Sequence, residues 1–234
     1  ATLAIQSAFK SNTEELAESI NFLNAVENQT STSLDDLVTA IPKAGPVVKS
    51  LGGDVKDLAL FLTAMKEGGI NASEGANALK SGLASLINPS EKASKMLAGL
   101  GVNIKGIVEA NKGDIKGTVV GFAQALDTLD PLNRARAIEQ LFGKFQFARM
   151  SALFENLGKS GSQTLQVMDL MKASSSELES VAARELTAVT ESASGKYRRA
   201  LESVKAELAI VGESFLTVGT FMLNTVEKVL ELIT

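Results

Sequence analysis

Over the first thirty residues Ile5, Phe9, Leu16, Ile20, Leu23 and Val26 recur at spacings that add up to helical turns, with acidic residues between them. The pattern predicts an amphipathic helix over 1–30, ending in the polar stretch Asn28 to Ser33. Leu34 to Ile41 reads as a short helix that Pro42 and Pro46, on either side of Gly45, bring to a stop. A further turn or two runs to Leu51 before Gly52-Gly53 ends it. Asp54 is placed as an N-cap, and Val55, Leu58, Ala59, Leu62 and Met65 form the stripe of a helix that Gly68-Gly69 closes. Asn71 or Ser73 caps the next helix, to about Leu86. Asn88-Pro89 separates it from another over about Ser90 to Leu100, with Gly101 as a left-handed cap. Residues 103–117, with Gly106, Gly113 and Gly117 among Val and Ile, fit a short helix or a loop. Helical pattern resumes from Thr118 to Leu129, and Asp130-Pro131 starts a helix to about Phe142. Lys144 to Leu157 and Ser162 to Lys172 read as two more.

The character then changes. From Leu178 and Ala182 the apolar positions Leu186, Val189, Ala193, Tyr197, Leu201, Val204, Leu208, Val211, Phe215, Val218, Met222, Val226, Val229 and Ile233 follow at steps of three or four. The mean step is about 3.67, and Tyr197 to Met222 keeps close to a heptad. One continuous helix of that length would span roughly 85 to 90 Å. Such a seam needs a long partner, either by folding back near Ser194-Gly195 or by pairing with other chains as a coiled coil. The fold expected is therefore all-α, a bundle of short helices followed by a long, coiled-coil-forming C-terminal helix. Its parts are 1–30, a compact multi-helix region over 31–172, and the long helix over 173–234.

Composition narrows the chemistry. The 234 residues include no His, Cys or Trp, which removes imidazole bases, thiolate nucleophiles, disulfides and the usual zinc ligands. With 23 basic against 27 acidic residues and no basic segment, no sequence-specific nucleic-acid partner is expected. The longest uncharged run, Ser214 to Val226, has 13 residues, where a membrane span needs roughly 20. The chain opens on Ala1 in a helical pattern without an initiator Met or signal peptide, and so reads as an excised piece of a longer protein.

Each candidate for chemistry has a simpler account. Leu157-Gly158-Lys159-Ser160-Gly161 looks like the end of a phosphate-binding loop, but Leu153 stands where the motif needs Gly and no strand precedes it, so it reads as a helix-connecting turn. Asp35-Asp36 and Glu14-Glu15 read as first-turn and surface charge, since neighbours on a helix diverge by about 100°. Lys196, Arg198 and Arg199, with Glu191, Glu202 and Glu207 nearby, read as a solvated or interchain-paired face. Met65, Met96, Met150, Met168, Met171 and Met222 read as core filling. No catalytic, cofactor or metal site is expected.

Five elements stand in a recognisable order. They are Gly45-Pro46-Val47-Val48-Lys49-Ser50-Leu51-Gly52; Gly69-Ile70-Asn71-Ala72-Ser73-Glu74-Gly75-Ala76-Asn77-Ala78-Leu79; Asn88-Pro89; Leu100-Gly101-Val102; and Leu141-Phe142-Gly143. On these, residues 34–143 resemble the core region of phage tail tape measure proteins, with Gly69, Ile70, Ala76, Leu79, Leu141, Phe142 and Gly143 as motif residues. Gly75, Asn77 and Lys80 depart from the usual Ala, Thr and Arg. The resemblance implies a structural protein whose chain length sets tail length. It implies that tube subunits polymerise around the chain, which is made in the bacterial cytoplasm, housed in the tail lumen and released at DNA ejection. It implies several copies per tail, a trimer or larger, with tail tube proteins, tail tip proteins and tail assembly chaperones as partners. It also leaves room for contact with the membrane at ejection. The reading from another class is a membrane-active, pore-forming type of helical protein, motivated by the long helix and the apolar run Phe215 to Val226. An enzyme working with Asp, Glu, Lys and Ser alone is a third.

Overall fold

The computed structural model describes residues 2–174, 176–178 and 180, and among these it is all-α. Its helices are α1 (Thr2–Phe9), α2 (Thr13–Gln29), α3 (Leu34–Ser50), α4 (Val55–Glu67), α5 (Ala72–Ile87) and α6 (Glu91–Gly99). They continue as α7 (Ile104–Ala110), α8 (Ile115–Asp127), α9 (Pro131–Phe142), α10 (Phe147–Asn156) and α11 (Gln163–Leu170). The seam residues Leu186 to Ile233, the coiled coil proposed for them, and the Lys196, Arg198 and Arg199 cluster lie outside the described residues.

Capping chemistry sets the boundaries. Each helix from α2 to α9 follows an Asn, Ser or Asp whose side chain accepts a backbone N–H of the first turn. Asn71, not Ser73, caps α5, and the undecided stretch 103–117 contains α7 and the start of α8. The single helix expected over 1–30 is two. Lys10 turns left-handed at φ 55°, and Asn12 and Glu15 then close a reciprocal capping box, with Glu15 N–H donating to Asn12 Oδ1 at 2.9 Å and Asn12 N–H to Glu15 Oε2 at 3.1 Å.

The expected stop at Pro42 and Pro46 does not occur: α3 runs through both. Each proline removes an N–H that would bond the carbonyl four residues back, at Val38 and at Pro42. Both rings lie on the exposed side, where water can satisfy those carbonyls. The opposite side carries Leu37, Ala40, Ile41, Ala44 and Val48, all buried, and packs against α1, α4 and α5. Gly45 lets α1 approach, because a Cβ there would lie 2.9 Å from the Ala8 Cβ.

The core centres on α4. The sequence stripe assigned it five inward residues, whereas the fold also buries Leu60, Phe61, Thr63 and Ala64, because helices α2, α3, α5, α10 and α11 enclose it. Its polar positions are paired. Thr63 shares a hydrogen bond of 3.1 Å with the buried Thr32, and Lys66 pairs with Asp36. Asn156 Nδ2 donates to the Ala64 carbonyl at 3.1 Å. The Glu67 carboxylate accepts the Gln163 N–H at 3.0 Å, and Gln163 Oε1 in turn accepts Ser31 N–H at 2.7 Å, latching α11 to the end of α4 and to the α2–α3 connection. Leu178 is also buried in this core.

Candidate functional site

The motif residues occupy turns and buried helix faces. Gly69 stands at φ 82°, and beyond it the Ile70 N–H reaches the Met65 carbonyl at 3.0 Å, closing the end of α4 and setting Ile70 against the core. Ala76 and Leu79 are fully buried on α5, a helix whose small residues let α3, α4, α9 and α10 come close. The departure at Gly75 fits this crowding, since a Cβ there would meet Met65 Sδ at 3.2 Å, while Asn77 and Lys80 are exposed. Leu141 and Phe142 end α9 inside the core, and Gly143 reverses the chain at φ 79°. Phe142 packs with Phe122 and Phe154 at centroid distances of 6.2 and 5.6 Å, joining α8, α9 and α10.

The Leu-Gly turn after α3 is the most constrained. Gly52 has φ 85°, and a Cβ there would overlap the carbonyl oxygen of Gly113, so this turn is locked to the one between α7 and α8.

Of the carboxylates read as first-turn charges, Glu15 and Asp36 cap helices. Glu15 belongs to the α2 box, and Asp36 closes the α3 box with Ser33 while pairing with Lys66. Burial works against the Asp36 charge, but bonds from Lys66 and Ser33 outweigh it and hold that carboxyl below its ordinary value. Asp57 goes the other way. Buried at the start of α4, beside the charge of Asp54 and with Asp114 nearby, its pKa is raised to about 6. Gly158 to Gly161 form the α10–α11 connection, where the Gly158 N–H donates to Thr164 Oγ1 at 3.0 Å. Met65 and Met150 are fully buried, and Met96, Met168 and Met171 half-buried. Among the described residues no group of three or more Asp or Glu is arranged to hold a metal ion.

The surface feature that sequence reading missed is an open cleft of about 540 Å³ between α6 and α9. Met96 and Leu100 form its apolar wall, and Asn133, Arg136, Glu139 and Gln140 line the α9 side. Two large apolar side chains stand clear of the core at the ends of α9, Leu132 with 61% of its surface exposed and Phe145 with 93%. The signal was present in the sequence, because Leu132, Arg136 and Glu139 repeat at i, i+4 and i+7 opposite the inward set Ala137, Ile138 and Leu141.

Among the described residues these features define an all-α packing module, with its sequence signature in turns and small-residue contacts. Residues 1–143 match the family described as phage-related minor tail protein, and the chain belongs to that family. It is a structural component of a phage tail, part of the virion, and works in contact with other tail components. No curated protein and no solved structure matches it. The match ends at Gly143, whereas the core continues through α10 and α11.

Proposed function

We propose that the chain is part of the tail's tape measure, a non-enzymatic scaffold that sets tail length. In this reading several copies, three or more, lie in the tail lumen and leave it before DNA is ejected. Tube subunits assemble around them, and tip proteins and assembly chaperones contact them. The observation that carries the reading is the ordered set of five elements between Gly45 and Gly143, which resembles that of tape measure cores and lies within the family match. The long apolar seam from Leu186 to Ile233 supports it as a surface for pairing copies. The membrane-active alternative gains nothing from the described residues, in which no helix is long and apolar enough to cross a membrane.

The test is tail length. Deleting residues 197–224 in frame from the phage gene removes four heptads, and tails should shorten by about 42 Å if that stretch is helical in the lumen. Electron microscopy of particles with unchanged tails would sink the ruler reading and leave a tail protein of another kind.

A further inference from the structure

Helix α11 starts without a cap of its own. Ser162 stands at its cap position, but the Ser162 hydroxyl lies 2.7 Å from Thr164 Oγ1 and reaches no backbone N–H of the first turn. The leading N–H goes instead to a residue 96 positions away, where Gln163 N–H donates to the two oxygens of the Glu67 carboxylate at 3.0 and 3.2 Å. Glu67 is poorly placed for its own helix. It is the last residue of α4, at the carbonyl end of the helix dipole, where a negative charge is disfavoured. Facing the amide end of α11, the same charge is favoured. Gln163 Oε1 ties down the same point by accepting from Ser31 N–H at 2.7 Å and Ser31 Oγ at 2.9 Å.

Little else holds α11 in helical form. Its eight residues are fewer than the roughly 12 to 15 that a helix needs to persist alone in water. It buries Thr164, Val167 and Leu170 on one side, against α4 and α2, and leaves Gln166 and Asp169 in solvent. The connection that leads into it, 158–161, is exposed throughout. Helix α4, in contrast, keeps α2, α3, α5 and α10 around it when α11 is taken away. A short element with one buried side, an exposed connection and a borrowed cap opens at less cost than the whole fold.

We propose that Glu67 serves as the N-terminal cap of α11, and that α11 is a strap which is helical when docked on α2 and α4 and undocks as one unit while the helices beneath it stay folded. With Leu178 beyond it, α11 is the element through which the chain continues toward residues 181–234. It therefore yields before α10 and the rest of the core when that segment is drawn away. None of this depends on the tape measure reading.

Hydrogen exchange of the full 234-residue chain, resolved by mass spectrometry, tests it. The amides to follow are those of Val167 to Leu170, which are bonded inside α11. They should exchange at least about tenfold faster than the slowest amides of α4 and α5, with a weaker dependence on denaturant because the opening exposes less surface. Ile138→Val, a mild core change on α9, leaves every α11 contact in place. It should speed the slowest amides of α4 and α5 about threefold to tenfold and leave Val167 to Leu170 unchanged, since α9 is intact in the undocked state. Glu67→Ala should speed Val167 to Leu170 about fivefold to tenfold, the effect of losing a helix cap. Helix electrostatics within α4 alone predicts no loss from that substitution, which takes an unfavourable charge off the helix end. The proposal is overturned if Val167 to Leu170 exchange no faster than α4 and α5, or if Ile138→Val speeds them together. It is equally overturned if Glu67→Ala leaves α11 as well protected as in the parent.

Discussion

Helices α4 and α9 are nearly equal in length, 13 and 12 residues, and both start at an aspartate cap. Their surroundings are opposite. Every residue of α4 from Asp57 to Met65 is buried, with helices on all sides, whereas α9 buries one face and leaves Leu132, Arg136 and Glu139 in solvent. The same capping chemistry thus starts a helix that holds the core together and one that presents a surface. Substitutions on α4 should therefore cost stability, and those on the outer face of α9 should cost little.

The sharpest way to break this contrast is to remove the wall of α4 that lies beyond the family match. A chain ending at Gly143 loses Met150, Leu153, Phe154 and Val167 from the core, together with the Asn156 and Gln163 hydrogen bonds to the end of α4. At about 2–5 kcal/mol for each large core side chain, the loss is as large as the whole stability of an ordinary domain, about 5–15 kcal/mol. The expected result is no cooperative unfolding transition by circular dichroism. A sharp transition at the temperature of the full chain would show that α4 is not the hub. Next in size is Gly52→Ala, which combines a left-handed backbone with a collision against Gly113 and should cost about 3 kcal/mol or more in denaturant unfolding. Leu60→Ala, at a fully buried position on α4, should cost about 2–5 kcal/mol.

How far these differences could be read beforehand depends on range. The all-α class, the caps at Asp54 and Asp130 and the left-handed turn at Gly101 were legible, because each is a contest among neighbouring backbone groups that local residues decide. The break at Lys10 was missed although the Asn12 and Glu15 box was in view, since the apolar spacing carries on across it. The continuity of α3 was not legible at all. Proline chemistry argues locally for a stop, and only the burial of Ile41, Ala44 and Val48 against other helices overrides it. For the same reason α4 showed a stripe where the fold surrounds it: periodicity reports a preferred face, and enclosure by five helices is a tertiary fact. At the site, the motif residues were picked out by their order along the chain, and their places in turns and close contacts needed the neighbours.

A smaller effect separates the two aspartate-led helices by pH. Burial, and then the charge of Asp54, raise the Asp57 pKa from 3.8 to about 6. A raised carboxyl binds its proton more tightly in the folded chain than in the unfolded one. Its stabilising contribution is therefore complete below about pH 4 and is lost as pH rises through about 6. Asp57→Asn removes this titration while leaving an oxygen to accept the Asp54 N–H. The variant should lose the fall in stability between about pH 4 and 6 and be more stable than the parent at neutral pH, by up to about 3 kcal/mol. Chemical denaturation at pH 4 and pH 7 checks both; an unchanged slope would mean that Asp57 is not the source.

The smallest expected effect is the most pointed half of the comparison. Leu132→Ala makes on α9 the same chemical change as Leu60→Ala on α4, yet Leu132 keeps 61% of its surface in water and has little burial to lose. Its backbone N–H is held by Asp130 at 3.0 Å whatever the side chain, so the start of the helix is undisturbed, and alanine is at least as good a helix former. At dilutions where chains do not associate, the change in unfolding free energy should stay within about 0.5 kcal/mol. A cost above about 1.5 kcal/mol at those dilutions would mean that Leu132 is packed within its own chain after all, and that α9, like α4, carries its weight in the core.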